Sequence, residues 1–472
     1  MRANHLARHS VILPSILSAI LVGSPSLSRA QAQSPFLGSV PTGQASATPL
    51  QLSLQEAFER ALKYNLGVVE GSEDTRAAHA TRLRSLNALL PNLTARVSYA
   101  LEQNNLRALG FRLSFPGVSI PTIVGPFAVE DARAYLSQEI FNWSDIKNLK
   151  SSAQSEKAAQ YAYKSDRDLV VSTTGDAYLL VISDLATADS IQAQVKTAQT
   201  LYQQDVDQNK QGVIASIDVL RAQVELQTQQ QRLIAAQNQL NIDKLTLARV
   251  IGLPNGQEFQ LMDSVPYAPL EGITVDQALK QAYSTRPDYL SAKYTVQAAE
   301  QALRATAAEN YPTVSTATDY GDIGSPNFGN SHGTFAFSVA LNIPVFQGTR
   351  VRADKLQADS ALERRKAELA DLDGKIDDQV RTAFYNLKSS SDLVAVARSN
   401  IELANQTLQQ SRDRLAAGVA DNLEVVQAQE SVASANQSYI ASVYAFNVAK
   451  LSLSLALGLA EQSALQYLVG GK

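Results

Sequence analysis

The chain contains no cysteine in 472 residues. That excludes a disulfide framework, a thiolate metal site, a cysteine nucleophile and a lipid anchor on an N-terminal cysteine. Histidine is scarce as well. Beyond the first nine residues only His79 and His332 occur, far apart and in unlike segments. No His-Glu metal pair, glycine-rich phosphate loop or serine-nucleophile elbow is present. The sequence therefore points away from an enzyme, and no cofactor or metal is expected. The formal charge is −4 and no basic block occurs, so nucleic acid is not an expected partner.

The apolar run Val11–Val22 follows Arg2, His5 and Arg8 and is closed by small residues. It is too short for a spanning helix, which needs roughly 20 residues. Ser28-Arg29-Ala30 and Ala30-Gln31-Ala32 each fit a small-x-small cleavage site, so residues 1–32 read as a secretory signal. Its removal deletes three arginines and no acid, leaving a more acidic exported chain. Residues 33–51, rich in Ser, Pro, Gly and Thr, read as a flexible leader.

What the chain does have is repetition. "KQGVIASIDVLRAQ" from Lys210 is echoed by "AAGVADNLEVVQAQ" from Ala416, 206 residues on. "RVIGLP" from Arg249 matches "LALGLA" from Leu455 at that offset, and "EIFNWSD" from Glu139 matches "PVFQGTR" from Pro344 at 205. "LSLQEAFERALKYNL" from Leu52 matches "ITVDQALKQAYSTRP" from Ile273 at 221, as Leu90-Pro91 matches Tyr311-Pro312. Two halves are expected, 52–260 and 273–465, with a linker at 261–272. A 472-residue chain is too long for one compact core, which agrees with two units or an elongated shape.

Within each half, apolar residues recur every seven positions. Val219, Leu226, Leu233, Leu240 and Leu247 form one series. Val425, Val432, Tyr439, Phe446 and Leu453 form its counterpart, and Leu387, Val394, Ile401, Leu408 and Leu415 precede the second glycine. Such a period predicts coiled-coil packing of helices. Gly212 and Gly418 interrupt the helices, so each repeated stretch is expected to be the tip of a long antiparallel helical hairpin.

Between the helical stretches the period changes to two. Leu93, Ala95, Val97, Tyr99 and Leu101 alternate with polar residues, as do Phe335, Phe337, Val339, Leu341, Ile343 and Val345. Strands are expected near 93–103, 130–141, 313–320 and 335–346, about the length of a tilted membrane-spanning strand. The aromatics Tyr99, Phe115, Phe127, Tyr135, Phe141, Trp143, Phe335 and Phe346 are expected at the membrane interfaces. Four strands cannot close a barrel, and open edges are not tolerated in lipid. Two copies would give eight strands and a filled interior; three would give twelve and a lumen.

An exported chain with two halves, each helix–strand–strand–helix–tip–helix, resembles the TolC family of outer-membrane efflux and secretion ducts. The motifs that carry the resemblance are the duplicated "LP"/"YP" before the first strand, "FNWSD" and "PVFQGTR" after the second, and the two tip stretches. It covers about 52–460. It implies a mainly α fold with β. Duplicated helical hairpins would form an α-barrel, and four strands per chain would join a trimeric 12-stranded transmembrane β-barrel. It also implies a homotrimer in outer-membrane lipid, working with a periplasmic adaptor and an inner-membrane pump as a passive efflux or type I secretion conduit. A periplasmic adaptor would need one hairpin between lipoyl-like β segments. A soluble envelope coiled coil would lack the signal and the alternating strands.

Asp218 and Glu424 each stand six residues after the tip glycine. The resemblance implies that Glu424 belongs to a carboxylate ring at the periplasmic gate. Gln427 stands where a further acid is often found, and Arg221 holds that place in the first half. Ala420 and Leu415 replace the arginine and tyrosine of the family's gate latch. A capping reading competes: Asp421 with Glu424, and Ser216 with Asp218, have helix-capping spacing.

Overall fold

The computed structural model describes residues 34–108, 110, 117, 121–269, 274–325, 332–420 and 422–469. The expected signal segment, Phe115 and Asp421 lie outside the described residues.

Each half opens on a helix broken after about three turns. α1 (Leu54–Tyr64) and α5 (Val275–Thr285) both start with a capping box, Ser53 with Glu56 and Thr274 with Gln277. Each box satisfies two of the otherwise orphaned N-terminal N–H groups. α1 stops where Asn65 leaves helical geometry at φ −65° and ψ 137°. The same Asn65 caps α2 (Leu66–Asn87) by accepting from Gly67 N–H. In the second half the break falls at Arg286, and Pro287 starts α6 (Pro287–Ala307), where its missing N–H and fixed φ suit the first turn.

The joints are also anchored alike. Asn65 Nδ2 donates to the carbonyl of Val250, the last residue of α4 (Ser216–Val250), at 3.2 Å. Arg286 Nη1 donates to the carbonyl of Ala456, the last residue of α8 (Asn422–Ala456), also at 3.2 Å. Two different side chains thus capture the same orphan carbonyl at the end of a helix.

The longest elements are α3 (Trp143–Lys210, 68 residues) and α7 (Arg350–Ala416, 67 residues). At 1.5 Å per residue each is about 100 Å long. The N-terminal half of α3 packs on α2 and α6. His79 and Arg82 of α2 clasp Glu156, while Ser151 and Ser291 bond across to the α6 and α3 backbones. Its C-terminal half packs on α4 and α8. α8 in turn packs on α7, so α4 and α7 are the outer members of a row ordered α4, α3, α8, α7. Of the heptad series, Leu226, Leu240, Leu247, Val394, Val425, Phe446 and Leu453 are buried and the rest mostly half-buried. Both α3 and α8 contain stretches long and apolar enough to cross a membrane by length and composition. In this fold those stretches supply core residues, among them Val170, Val171, Tyr178 and Val181 from α3 and Leu451 and Leu453 from α8.

The strands form one antiparallel sheet in the order β2 (Asn92–Asn105), β3 (Ile123–Phe141), β5 (Thr313–Gly324), β6 (His332–Asn342). Six boundaries differ from the expected ones, those of β2 by one and two residues and the start of β6 by three. β3 begins seven residues earlier, and β5 runs four residues further, because the pairing β3 makes with β2 and β5 continues past the clean alternation. β6 ends at Asn342 rather than 346. Pro344 has no N–H to give a ladder, so Ile343, Val345 and Phe346 lie in the loop that follows.

The expected loose leader is ordered. β1 (Leu50–Leu52) pairs in parallel with β4 (Phe259–Leu261). Upstream, Val40 N–H bonds Tyr64 O, Leu66 N–H bonds Gly38 O, and Gln257 Oε1 accepts from Ser46 N–H. Tyr64 and Leu66 stand at the joint of α1 and α2, and Gln257 and β4 lie far along the chain, so composition alone could not reveal these partners. A short C-terminal helix, α9 (Ala460–Val469), completes the fold and binds α3 through Arg167 and Glu461.

Candidate functional site

The two hairpin tips are built alike. Two residues past the end of α3 stands Gly212 at φ +74°, and two past the end of α7 stands Gly418 at φ +68°. In each, the glycine N–H returns to the third residue before it and the next N–H to the fifth before that residue: Gly212 to Asn209, Val213 to Gln208, Gly418 to Leu415, Val419 to Arg414. This is a Schellman closure, which needs the left-handed backbone that glycine takes without strain.

Asp218 lies in the first turn of α4 and Glu424 in the first turn of α8. A helix N-terminus favours such negative charge. Asp218 does not cap by side chain, since the N-cap is Ala215 with no side-chain bond, and Ser216 already lies inside the helix. Its Oδ1 instead meets Arg221 Nη1 at 3.1 Å. Glu424 Oε1 meets Arg414 Nε at 3.3 Å across the turn, and Ser411 Oγ at 3.3 Å. Sequence reasoning found both acids but missed Arg414, because that pair bridges ten residues around a glycine turn. Gln427 is exposed, one turn further along α8.

Beside the acids, Ile217, Leu220, Val224, Leu423 and Val426 line an apolar groove of about 380 Å³ between α4 and α8. Further from the tip, a larger groove of about 1190 Å³ separates the two hairpins. Its lining is mainly small or neutral polar, with Thr187, Ser190, Gln194, Gln239, Asn400, Ser431, Ser434 and Gln437, and it carries Asp184, Arg232 and Glu430.

The sheet has two unlike faces. Register places Leu93 with Leu136, Thr318 and Phe337 on one face, and Thr94 with Tyr135, Asp319 and Ala336 on the other. On the first face Leu93, Val97, Tyr99 and Leu101 are 65–79% exposed, and Phe335, Phe337, Val339 and Leu341 are 58–69% exposed. On the second face Arg133 bonds both Asp131 and Asp319. Tyr135 stands on this charged face, with Arg133 5.3 Å from its ring. Two-residue parity puts it there, as it does Phe127, which stands opposite Glu102. Tyr99 sits mid-strand rather than near an end. Phe141 stacks on Trp143 at 6.2 Å where β3 becomes α3, and Phe346 is 89% exposed beyond β6.

Midway along the helices, residues 262–269 form a strap. Asp263 Oδ2 accepts from Leu54 N–H and Tyr178 O–H, at 2.6 and 3.0 Å. Tyr267 pairs its hydroxyl with Ser391 at 2.9 Å and packs its ring on Phe446. Asn447 and Lys450 of α8 donate to the carbonyls of Val265 and Ala268. The strap thus touches α1, α3, α7 and α8.

The outer membrane efflux protein family matches residues 76–253 and 278–459. The chain is 24% identical over 319 residues to the probable efflux pump outer membrane protein TtgC of Pseudomonas putida, a match spanning 64% of this chain and 63% of that protein. It is 20% identical to the outer membrane protein TolC of Escherichia coli over 95% of this chain and 86% of that one. Among solved structures, the CmeC outer membrane channel of Campylobacter jejuni superposes with a TM-score of 0.75 at 14% identity, covering 96% of this chain and 94% of that one. With the family matched across both halves, on either side of the strap, the chain belongs to the outer membrane efflux protein family.

Proposed function

We propose that this chain is one of three copies of an outer-membrane duct, a passive efflux or type I secretion conduit that receives its cargo from an inner-membrane pump through a periplasmic adaptor. The observation that carries it is the four-stranded sheet. Its apolar face is exposed, its other face is charged, and among the described residues β2 and β6 each have an unpaired edge. In lipid such edges must close, and three copies supply twelve strands around a polar lumen. Tyr99 and Phe335 then face lipid, and Phe141, Trp143 and Phe346 mark the periplasmic interface.

The helical row supports the same assembly. Its outer members carry exposed apolar residues, Ile234, Ile242 and Leu245 on α4 and Leu393, Val396 and Leu403 on α7. Exposed apolar residues of this kind seek a partner helix, and α4 of one copy against α7 of the next closes a tube. The neutral polar groove between the hairpins then lines the conduit, where cargo slides without tight binding. Relatives support the reading: those named above are an efflux pump outer membrane protein, TolC and an outer membrane channel. The exposed apolar groove at the tips offers the adaptor a contact. An adaptor identity is disfavoured because the chain has two hairpins and two strand pairs.

Native mass spectrometry of protein extracted from the outer membrane tests the reading. Three copies are expected in detergent. A monomer that stays in buffer without detergent after export rejects it.

A further inference from the structure

A small pocket of about 220 Å³ lies under the strap. The strap walls it with Val265 and Tyr267, α3 with Leu179 and Ile182, and α8 with Val443 and Tyr444. None of the described residues that line it is charged. Tyr267 has its hydroxyl engaged by Ser391, so it offers the pocket its ring. Asn447, 1% exposed, lines the pocket as well. Its Nδ2 donates to the Val265 carbonyl at 3.2 Å, and a flipped amide would set two acceptors against each other. Its Oδ1 is buried and has no donor among the described residues. A buried acceptor left without a donor is costly. The matching place 206 residues back holds Asn241, which is exposed, so the first hairpin does not repeat the arrangement.

We propose that this pocket binds a small neutral aromatic molecule carrying an O–H or N–H donor, with its ring against the tyrosine and aliphatic walls and its donor on Asn447 Oδ1. Each property of the ligand follows from a property of the walls. The uncharged lining disfavours an ion, because a charge brought there loses hydration and gains no countercharge. The tyrosine rings favour a flat aromatic partner in stacked or edge-on contact. The orphan acceptor asks for a donor, and a ligand lacking one leaves it unpaired. Size sets the last limit. An apolar cavity of about 150 Å³ accepts benzene, so about 220 Å³ suits one substituted ring or two fused rings. Ile440 lines both this pocket and the large groove between the hairpins, so the two adjoin. A molecule in that groove can reach the pocket, and once seated it touches the strap, α3 and α8 together. Binding rests on the fold alone, whereas any effect on flow rests on the duct reading.

Fluorine NMR of the purified full chain in detergent at neutral pH, with 6-fluoro-2-naphthol as the probe, tests the proposal. Saturable line broadening is expected. The methyl ether of the probe lacks the donor and should bind about tenfold more weakly. The corresponding naphthoate, an anion, should not bind. Ala186 also lines the pocket, so Ala186→Phe fills it while sparing Asn447 and should abolish saturable binding. Asn447→Leu should weaken the naphthol to the level of the ether. Circular dichroism shows which variants fold, and if Asn447→Leu does not, the ether carries the test of the donor. A wild-type chain without saturable binding overturns the proposal and leaves water as the partner of Asn447. So does a folded Ala186→Phe chain that binds as wild type does, and so does an ether or a naphthoate that binds as tightly as the naphthol. Because the readout is binding to the chain itself, a protein that proves not to be a duct leaves this test intact.

Discussion

Lys450 is 0% exposed, deep in α8 beneath the strap. Its Nζ donates to Ala268 O at 3.3 Å and lies 5.1 Å from the Phe446 ring centre. Burial pushes its amine down to about 8 from 10.5. That gap corresponds to at most about 3 kcal/mol of penalty for keeping the charge inside. Lys450→Met keeps most of the length and removes the charge. It also gives up the bond to Ala268, at about 1 kcal/mol. The expected result is a net gain of about 1–2 kcal/mol at pH 7, in line with apolar replacement of buried charges elsewhere. The sign of the pH dependence follows from the depressed value. Below about 8 both folded and unfolded chains hold the proton, so the penalty is complete. Between about 8 and 10.5 the unfolded chain holds more protons than the folded one, so wild-type stability rises with pH and the advantage of the variant shrinks. Thermal unfolding in detergent at matched scan rates, at about pH 7 and about pH 10, measures both effects. A variant less stable at pH 7, or a gain that ignores pH, refutes the reasoning.

Asn65→Ala removes a helix cap together with the bonds to Phe36 O and Val250 O, and leaves buried carbonyls unpaired. A loss of about 2–4 kcal/mol is expected in the same thermal assay. Gly418→Ala forces a side chain into the left-handed region and should cost about 1–2 kcal/mol, seen as faster exchange at the second tip. Arg82 first and His79 next hold Glu156 below the ordinary carboxylate range. Its contribution is therefore complete above about 4.5 and lost as pH falls through the lower folded value, and Glu156→Gln should flatten that acid limb of the stability profile. At the tips, Arg414→Gln should raise cation over anion permeability in planar bilayers by uncovering Glu424, and Glu424→Gln should lower it. Unchanged selectivity in both variants rejects a role for these charges.

The duplication made much of this molecule legible. Gly212 and Gly418 announced the turns because a glycine between two heptad series leaves few other readings. Alternation announced the strands because one face is apolar and the other polar. The misreadings share a cause, namely partners remote in sequence. Leu50–Leu52 is a strand only because Phe259–Leu261 lies beside it. The pairing of Arg414 with Glu424 needs the turn to exist first. Asn65 and Arg286 stand at matching joints, yet one is a small amide and the other a long cation, so no shared letter marked the breaks.

The strap gives the long helices a fulcrum. Tyr178, where α3 is fastened through Asp263, leaves 32 residues of that helix running on to Lys210, or about 48 Å. A swing of about 5° around that point carries the tip sideways by about 4 Å, with every helical hydrogen bond intact. In the proposed duct, opening at the far end would then ask for pivoting in the middle rather than melting at the tip, with the sheet beyond the fulcrum at rest.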